Sequence, residues 1–384
     1  MTVVAMKTAG ARPGPDWSAV ARELGERFAG RAAAIDADDR FVDENYAELK
    51  ASGLVAAGVP AELGGGGASH AELCEVVRTL GRHCGATALA FSMHTHQVAT
   101  NAWRWRHTQA PVDGLLKRVA AERIILLSSG GSDWLHGSGT ATRVEGGFRV
   151  SARKAFTSGA PAGDLLLTSA VYDDPEAGPT VLHFGVPMRS DAVRIEPTWR
   201  AMGMRGTGSH DVLITDFFLP DGAVGGRRPQ GKWHPLFHVI SMLAIPLIYS
   251  AYLGVAEAAR DRALQLAAKR RSDAHLLQAV GGMENDLAEA RLALADMTAA
   301  AATDAPGAAT TNRIFIARGI LARAATGTAE AAMQVAGGAA FYRDAGLERL
   351  FRDVQGARFH PLQDGVQREL AARVALGLDI DGGG

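Results

Sequence analysis

Apolar residues recur at helical spacing from Asp16 to Ile35, again over about Asp43 to Ser52, and then over Ala71–His83 and Ala86–Trp105. The chain therefore opens as a run of helices, with Pro15 and Asp16 as an entry signal. Leu54 to Pro60 leads into four consecutive glycines, Gly64 to Gly67, which predict a turn because neither a helix nor a strand interior holds such a run cheaply. Near Arg123 the texture changes. Ile124–Leu127, Phe148–Val150, Leu165–Ser169 and Val181–Val186 are short β-favouring runs between Gly, Asp and Pro punctuation, and an apolar run from Asp211 to Pro220 closes the region. Asp221–Trp233, with its glycines and arginines, reads as a linker. Beyond Pro235, long alanine-rich patterns over Leu243–Arg271, Leu276–Ala302, Asn312–Val335 and Leu347–His360 fit a four-helix antiparallel bundle. The expected order is α, β, α: a helical domain over 1–121, a central β domain over 122–230 and a bundle over 231–384.

Composition narrows what such a chain does. At 384 residues it exceeds one ordinary core, and 47% hydrophobic with 21% charged residues describes a globular protein. Forty basic against 41 acidic residues leave a net charge of −1, so nothing argues for nucleic acid or a membrane surface as a partner. Cys74 and Cys84 lack zinc-site spacing and read as buried thiols of a reducing, cytoplasmic compartment. Lys7 and Arg12 with no uninterrupted apolar segment predict no secretory signal. Val239–Ala256 approaches membrane-span length, but Ser241, Pro246, Ser250 and two tyrosines mark it as a core helix.

The candidate chemistry concentrates between Gln334 and Pro361. Gly337-Gly338 permits close backbone approach to a ligand. Leu347, Leu350 and Phe351 give one buried helix face, and His360 is expected to titrate near neutral pH. Glu348, Arg349, Arg352 and Asp353 have the spacing of helix ion pairs. His94 and His96 stand two apart, cannot share a helix face, and are poor joint metal ligands; no metal is expected. Trp103 and Trp105 between arginines read as a helix end packed on a neighbouring domain.

Six segments in order carry a resemblance: Leu54 with Pro60 and its glycines; Ser132-Asp133; Phe148 with Lys154-Ala155-Phe156-Thr157-Ser158-Gly159; Gly203-Met204-Arg205-Gly206-Thr207; Gln334 with Gly337-Gly338; and Glu348-Arg349 with Arg352-Asp353. Together they resemble the acyl-CoA dehydrogenase superfamily over nearly the whole chain. The resemblance implies a mainly α protein with a central β domain, and a flavin, FAD or FMN. It sets Phe156 against the flavin ring and Ser158 near its reactive nitrogen, with Leu127, Ser128 and Ser129 on the other flavin-facing segment. Gln334, Gly337 and Gly338 approach the dinucleotide across a subunit boundary, and Arg270, beside Arg271, lies near the pyrophosphate.

One departure shapes the functional expectation. Where the family places its catalytic glutamate this chain has Pro361, and the alternative base position falls near Ala244; Glu257, Asp261, Asp344 and Asp364 match no known base position. With His360 beside the vacancy, the chain resembles the two-component flavin monooxygenases of the superfamily. That implies reduced flavin and O2 acting on a small organic substrate, with His360, Ser158 and one of His94 and His96, His94 the better, as catalytic helpers. A flavin reductase and a homotetramer follow from the same likeness. An FAD-dependent acyl-CoA dehydrogenase with a relocated base, and a non-catalytic scaffold of the same fold, stay open. By fold analogy Phe91, Met93, the region around Trp134, and Phe237 or His238 line the substrate pocket.

Overall fold

A computed structural model describes residues 15–129, 131–270 and 273–381; Lys7, Arg12 and Arg271, invoked above, lie outside them. The predicted opening helices form as α1 (Trp17–Ala37), α2 (Asp43–Ser52), α3 (His70–His83) and α4 (Gly85–Thr108). Asp16 starts α1 by accepting from the Ala19 amide at 3.0 Å. Ser69 and Glu72 form a reciprocal capping box on α3, satisfying amides that a first helical turn leaves open. A further helix, α5 (Asp113–Glu122), escaped the sequence reading because only Leu116 and Val119 on it are buried, too few to set a period.

The central region is one mixed sheet of eight strands: β1 (Leu126–Ser128), β2 (Thr140–Val144), β3 (Gly147–Thr157), β4 (Leu165–Asp174), β5 (Gly178–Pro187), β6 (Val193–Glu196), β7 (His210–Pro220) and β8 (Gly226–Pro229). They run in the order β6-β7-β3-β2-β4-β5-β8, with β1 parallel to β4. Asp221–Trp233 is thus no free linker. It contains β8, which pairs with β5 from Thr180 opposite Pro229 to His183 opposite Gly226. Its Gly-Arg-Arg-Pro sequence has none of the β-branched residues that announce a strand.

The C-terminal region holds α6 (Pro235–Leu266), α7 (Ala274–Thr303), α8 (Ala308–Ala336), α9 (Leu347–Val354) and α10 (Asp364–Ala375). The expected fourth long helix is corrected to the short α9, which tightens into a single 3-10 turn, Gln355–Arg358. α10 was not expected at all. The apolar stretch of α6 has the length of a membrane span, and 94% of that window is buried inside the fold. α6 packs on α3 at backbone contact: a Cβ on Gly254 would stand 2.2 Å from the Arg78 carbonyl oxygen, and one on Gly81 2.5 Å from that of Ala251. Behind this crossing the buried Glu257 binds Arg78 of α3 at 2.6 Å and Arg291 of α7 at 2.8 Å. Cys74 and Cys84 are both buried free thiols, and burial pushes the Cys74 thiol up to about 12.

Candidate functional site

β3 supplies one wall. Phe148, Val150 and Lys154 occupy its buried positions until the pairing slips, Lys154 facing Val212 but Thr157 facing His210 of β7. Such a bulge throws a side chain out of the strand's alternation. Phe156 takes a left-handed φ of 55°; its ring is 57% exposed, with Trp199 edge-on at 6.1 Å. Ser158 follows, buried, 2.8 Å from the Ser209 hydroxyl, which is itself 2.6 Å from that of Thr207. An uncovered aromatic at a strained strand bulge, beside buried hydroxyls, is a surface for a flat polar-edged ligand.

β1 and the loop after it form the adjoining wall. The Leu127 side chain is core, so any ligand contact there runs through its main chain. Ser128 is half-buried beside Met93, its hydroxyl 3.9 Å from Sδ. Ser129 donates to Asp133 at 2.6 Å, and the fully buried Lys154 donates to the same carboxylate at 2.6 Å and to the Ser138 carbonyl at 2.8 Å. Burial holds the Lys154 ammonium below its ordinary range, while Asp133 pulls it back up. Sequence reasoning missed this pair, although a lysine on the inward register of β3 was the available signal. A Cβ on Gly131 would lie 2.6 Å from Pro361 Cγ, so this loop and the segment carrying His360 are in contact.

His360 sits with its Nε2 2.7 Å from the Tyr252 hydroxyl of α6. The buried Arg318 of α8 donates to the carbonyls of Ala357, Arg358 and His360 at 3.3, 3.3 and 2.6 Å. Desolvation, and then the Arg318 charge, push the imidazole down to about 4. This corrects the expected titration near neutrality: at pH 7 the ring is neutral. Tyr252 and Arg318 were not identified from the sequence, since a tyrosine in an apolar helix reads as core.

The carboxylates that lie near these positions in sequence, Asp344 apart, are engaged. Glu257 is held as above; Asp261 pairs with Arg82 at 2.7 Å and Arg260 at 2.9 Å, and Asp364 with Arg318 at 3.3 Å. Asp344 is exposed. Asp353 accepts the Met204 amide at 2.5 Å and faces Arg349 at 3.8 Å, with burial pushing it up to about 6. Beside it Arg352 binds Asp36 at 2.6 Å, Glu348 at 2.6 Å and the Met202 carbonyl at 2.8 Å, so this pair latches the bundle to the loop before β7.

His94 is corrected from helper to strut. Its Nε2 donates to the Val55 carbonyl at 2.8 Å and its Nδ1 accepts from the Leu126 amide at 2.9 Å, leaving no ring nitrogen for a ligand. Burial pushes it down to about 4. His96 donates from Nδ1 to the Ser92 carbonyl at 3.1 Å; its Nε2 has no partner among the described residues. Phe91 and Met93 are buried beside them. Trp134 meets Phe237 edge-on at 5.1 Å, while His238 stacks on Trp233 at 5.3 Å. Elsewhere, Arg270 donates to the Val335 carbonyl at 2.6 Å and flanks Gly337, so Arg270, Gln334, Gly337 and Gly338 gather at the end of α8. Gln334 and Gly338 are exposed there, and a Cβ on Gly338 would meet open space.

The wall formed by Phe156, Ser158 and the main chain of 127–129 fits a flavin ring: a bare aromatic for one part, hydroxyl and amide partners for a polar edge. The acyl-CoA dehydrogenase N-terminal and C-terminal domain profiles match residues 17–108 and 247–364. YdbM of Bacillus subtilis strain 168, provisionally named an acyl-CoA dehydrogenase, is 28% identical over 93% of this chain and 96% of its own. The amino sugar nitrososynthase RubN8 of Streptomyces rubradiris is 28% identical over 92% of this chain and 88% of its own. The structure of KijD3 with FMN and a dTDP-linked amino-keto sugar superposes at a TM-score of 0.86, with 25% identity, over 97% of both chains. With both terminal domains matched and the fold shared end to end, the chain belongs to the acyl-CoA dehydrogenase superfamily.

Proposed function

We propose that the chain is a flavin-dependent monooxygenase that takes reduced flavin from a separate reductase and uses O2 to oxidise a small organic substrate. The observation that carries this reading is the state of its bases. Each carboxylate named above is bound to arginine, lysine or a backbone amide, or exposed, and the family's base positions hold Pro361 and Ala244. A histidine near 4 is too weak to strip a proton from the carbon beside a thioester. Bound reduced flavin supplies the electrons that activate O2. Phe156 would lie against part of the ring, Ser158 would offer a hydrogen bond to its polar edge, and neutral His360 would offer one to the reacting group. Likeness to RubN8 and KijD3 supports the same assignment and makes amino sugars the first substrates to assay. Exposed Phe341 and Tyr342 beyond Gly338 support a cofactor site completed by a second copy, in a homotetramer.

The test is anaerobic titration of the flavin-loaded protein with acyl-CoA thioesters of several chain lengths, followed by turnover with a flavin reductase, O2 and amino sugars. No bleaching of the flavin by thioesters and oxygenated product with O2 are expected. Rapid bleaching would overturn the reading in favour of a dehydrogenase.

A further inference from the structure

Tyr252 lies in the middle of α6, 1% exposed. Its hydroxyl has one partner among the described residues, Nε2 of His360 at 2.7 Å. A neutral imidazole carries one donor and one acceptor, whereas a phenol carries one proton. If Nε2 held the ring proton, the phenol proton would be left unpaired inside the protein, an arrangement that buried polar groups avoid. If the phenol donates to Nε2, the phenol proton and the Nε2 lone pair are both used, and the ring proton stays on Nδ1, which has no partner among the described residues. We propose that Tyr252 is a positioning residue: its phenol fixes His360 as the Nδ1–H tautomer and thereby presents a hydrogen-bond donor to the reaction centre. This rests on the placement of His360 against the flavin given under Proposed function.

Three further observations support the pair. Gly356 leaves room for the phenol, since a Cβ there would stand 2.6 Å from the Tyr252 oxygen. Arg318 fixes the His360 backbone from α8 while Tyr252 fixes its ring from α6, and Tyr249 steadies the same turn through the Ala357 carbonyl at 2.6 Å. Burial also raises Tyr252 well above the ordinary phenol range, so the proton stays on oxygen and the pair is neutral. The charged or titratable groups facing His360 are Tyr249 and Tyr252 of α6 and Arg318 of α8, the last paired with Asp364.

The decisive measurement is nitrogen-15 NMR of the full chain labelled at histidine, without flavin, with the His360 ring assigned by difference against His360→Asn. The wild-type ring is expected to be protonated at Nδ1. Tyr252→Phe is expected to move the proton to Nε2 or to a mixture, and Tyr249→Phe, which removes a neighbouring phenol from the same turn, to leave it at Nδ1. In turnover, Tyr252→Phe is expected to lower kcat about 10-fold with KM nearly unchanged, as loss of a ring-orienting partner does elsewhere. An Nε2–H wild-type ring, an unmoved tautomer in Tyr252→Phe, or a moved tautomer with unchanged kcat would each overturn the proposal. Because the tautomer is read without flavin, a protein that binds none refutes the proposed function while the spectrum still decides this one.

Discussion

His94 and His360 share a side chain and a depressed basicity, yet their nitrogens meet different partners. His94 joins two backbones, whereas His360 is held at one nitrogen by a side chain and at its carbonyl by Arg318. His94, His96, His183 and His360 are all pushed down to about 4, chiefly by burial. Their folded values lie below the unfolded value of about 6.5, so the unfolded chain takes up protons first. Stability is present above that value and is lost as pH falls toward 4. Tm followed from pH 7.5 to 4.5 is expected to drop steeply below 6.5, with a shallower slope in His94→Gln. Lys154→Met leaves Asp133 buried without its cation, which costs roughly 3–5 kcal/mol; urea unfolding measures it, and an unchanged midpoint would refute the pairing. The residue types at these positions were legible. Their roles depended on a carbonyl from Val55 and a carboxylate from Asp133, which one-dimensional spacing does not display.

Among elements, α9 does more than its length suggests. Arg352 and Asp353 hold Asp36, Met202 and Met204 together, and the loop passes so close that a Cβ on Gly203 would be 2.3 Å from the Arg352 carbonyl oxygen. Arg352→Ala is expected to cost about 2 kcal/mol, the range for charged hydrogen bonds, and to expose residues 198–205 to limited proteolysis. Cleavage no faster than wild type would show that the latch carries little. The long helices and main strands were legible because their apolar period persists. The end of α9 was not, since Leu347, Leu350 and Phe351 set a rhythm that Gly356 interrupts for the sake of the Tyr252 hydroxyl. β8 was hidden for the opposite reason, its pairing owing everything to a neighbour and nothing to composition.

At the scale of the molecule, α6 binds the first helices to the last ones. Gly254→Ala would force it from α3, and because Glu257 and its arginines lie one turn away, the ion cluster would open as well. A single cooperative thermal transition is expected for the wild type. The variant is expected to melt at lower temperature with the N-terminal helices separating first, visible as two transitions by calorimetry; retention of one transition at the wild-type Tm would contradict the coupling. The burial of Cys74 and Cys84 within this weld has a practical corollary. The native protein should consume no thiol reagent, and two equivalents once unfolded. Asp344→Cys would then carry the sole accessible thiol, beside α9, so that a fluorophore attached there reports from one known place when a ligand arrives.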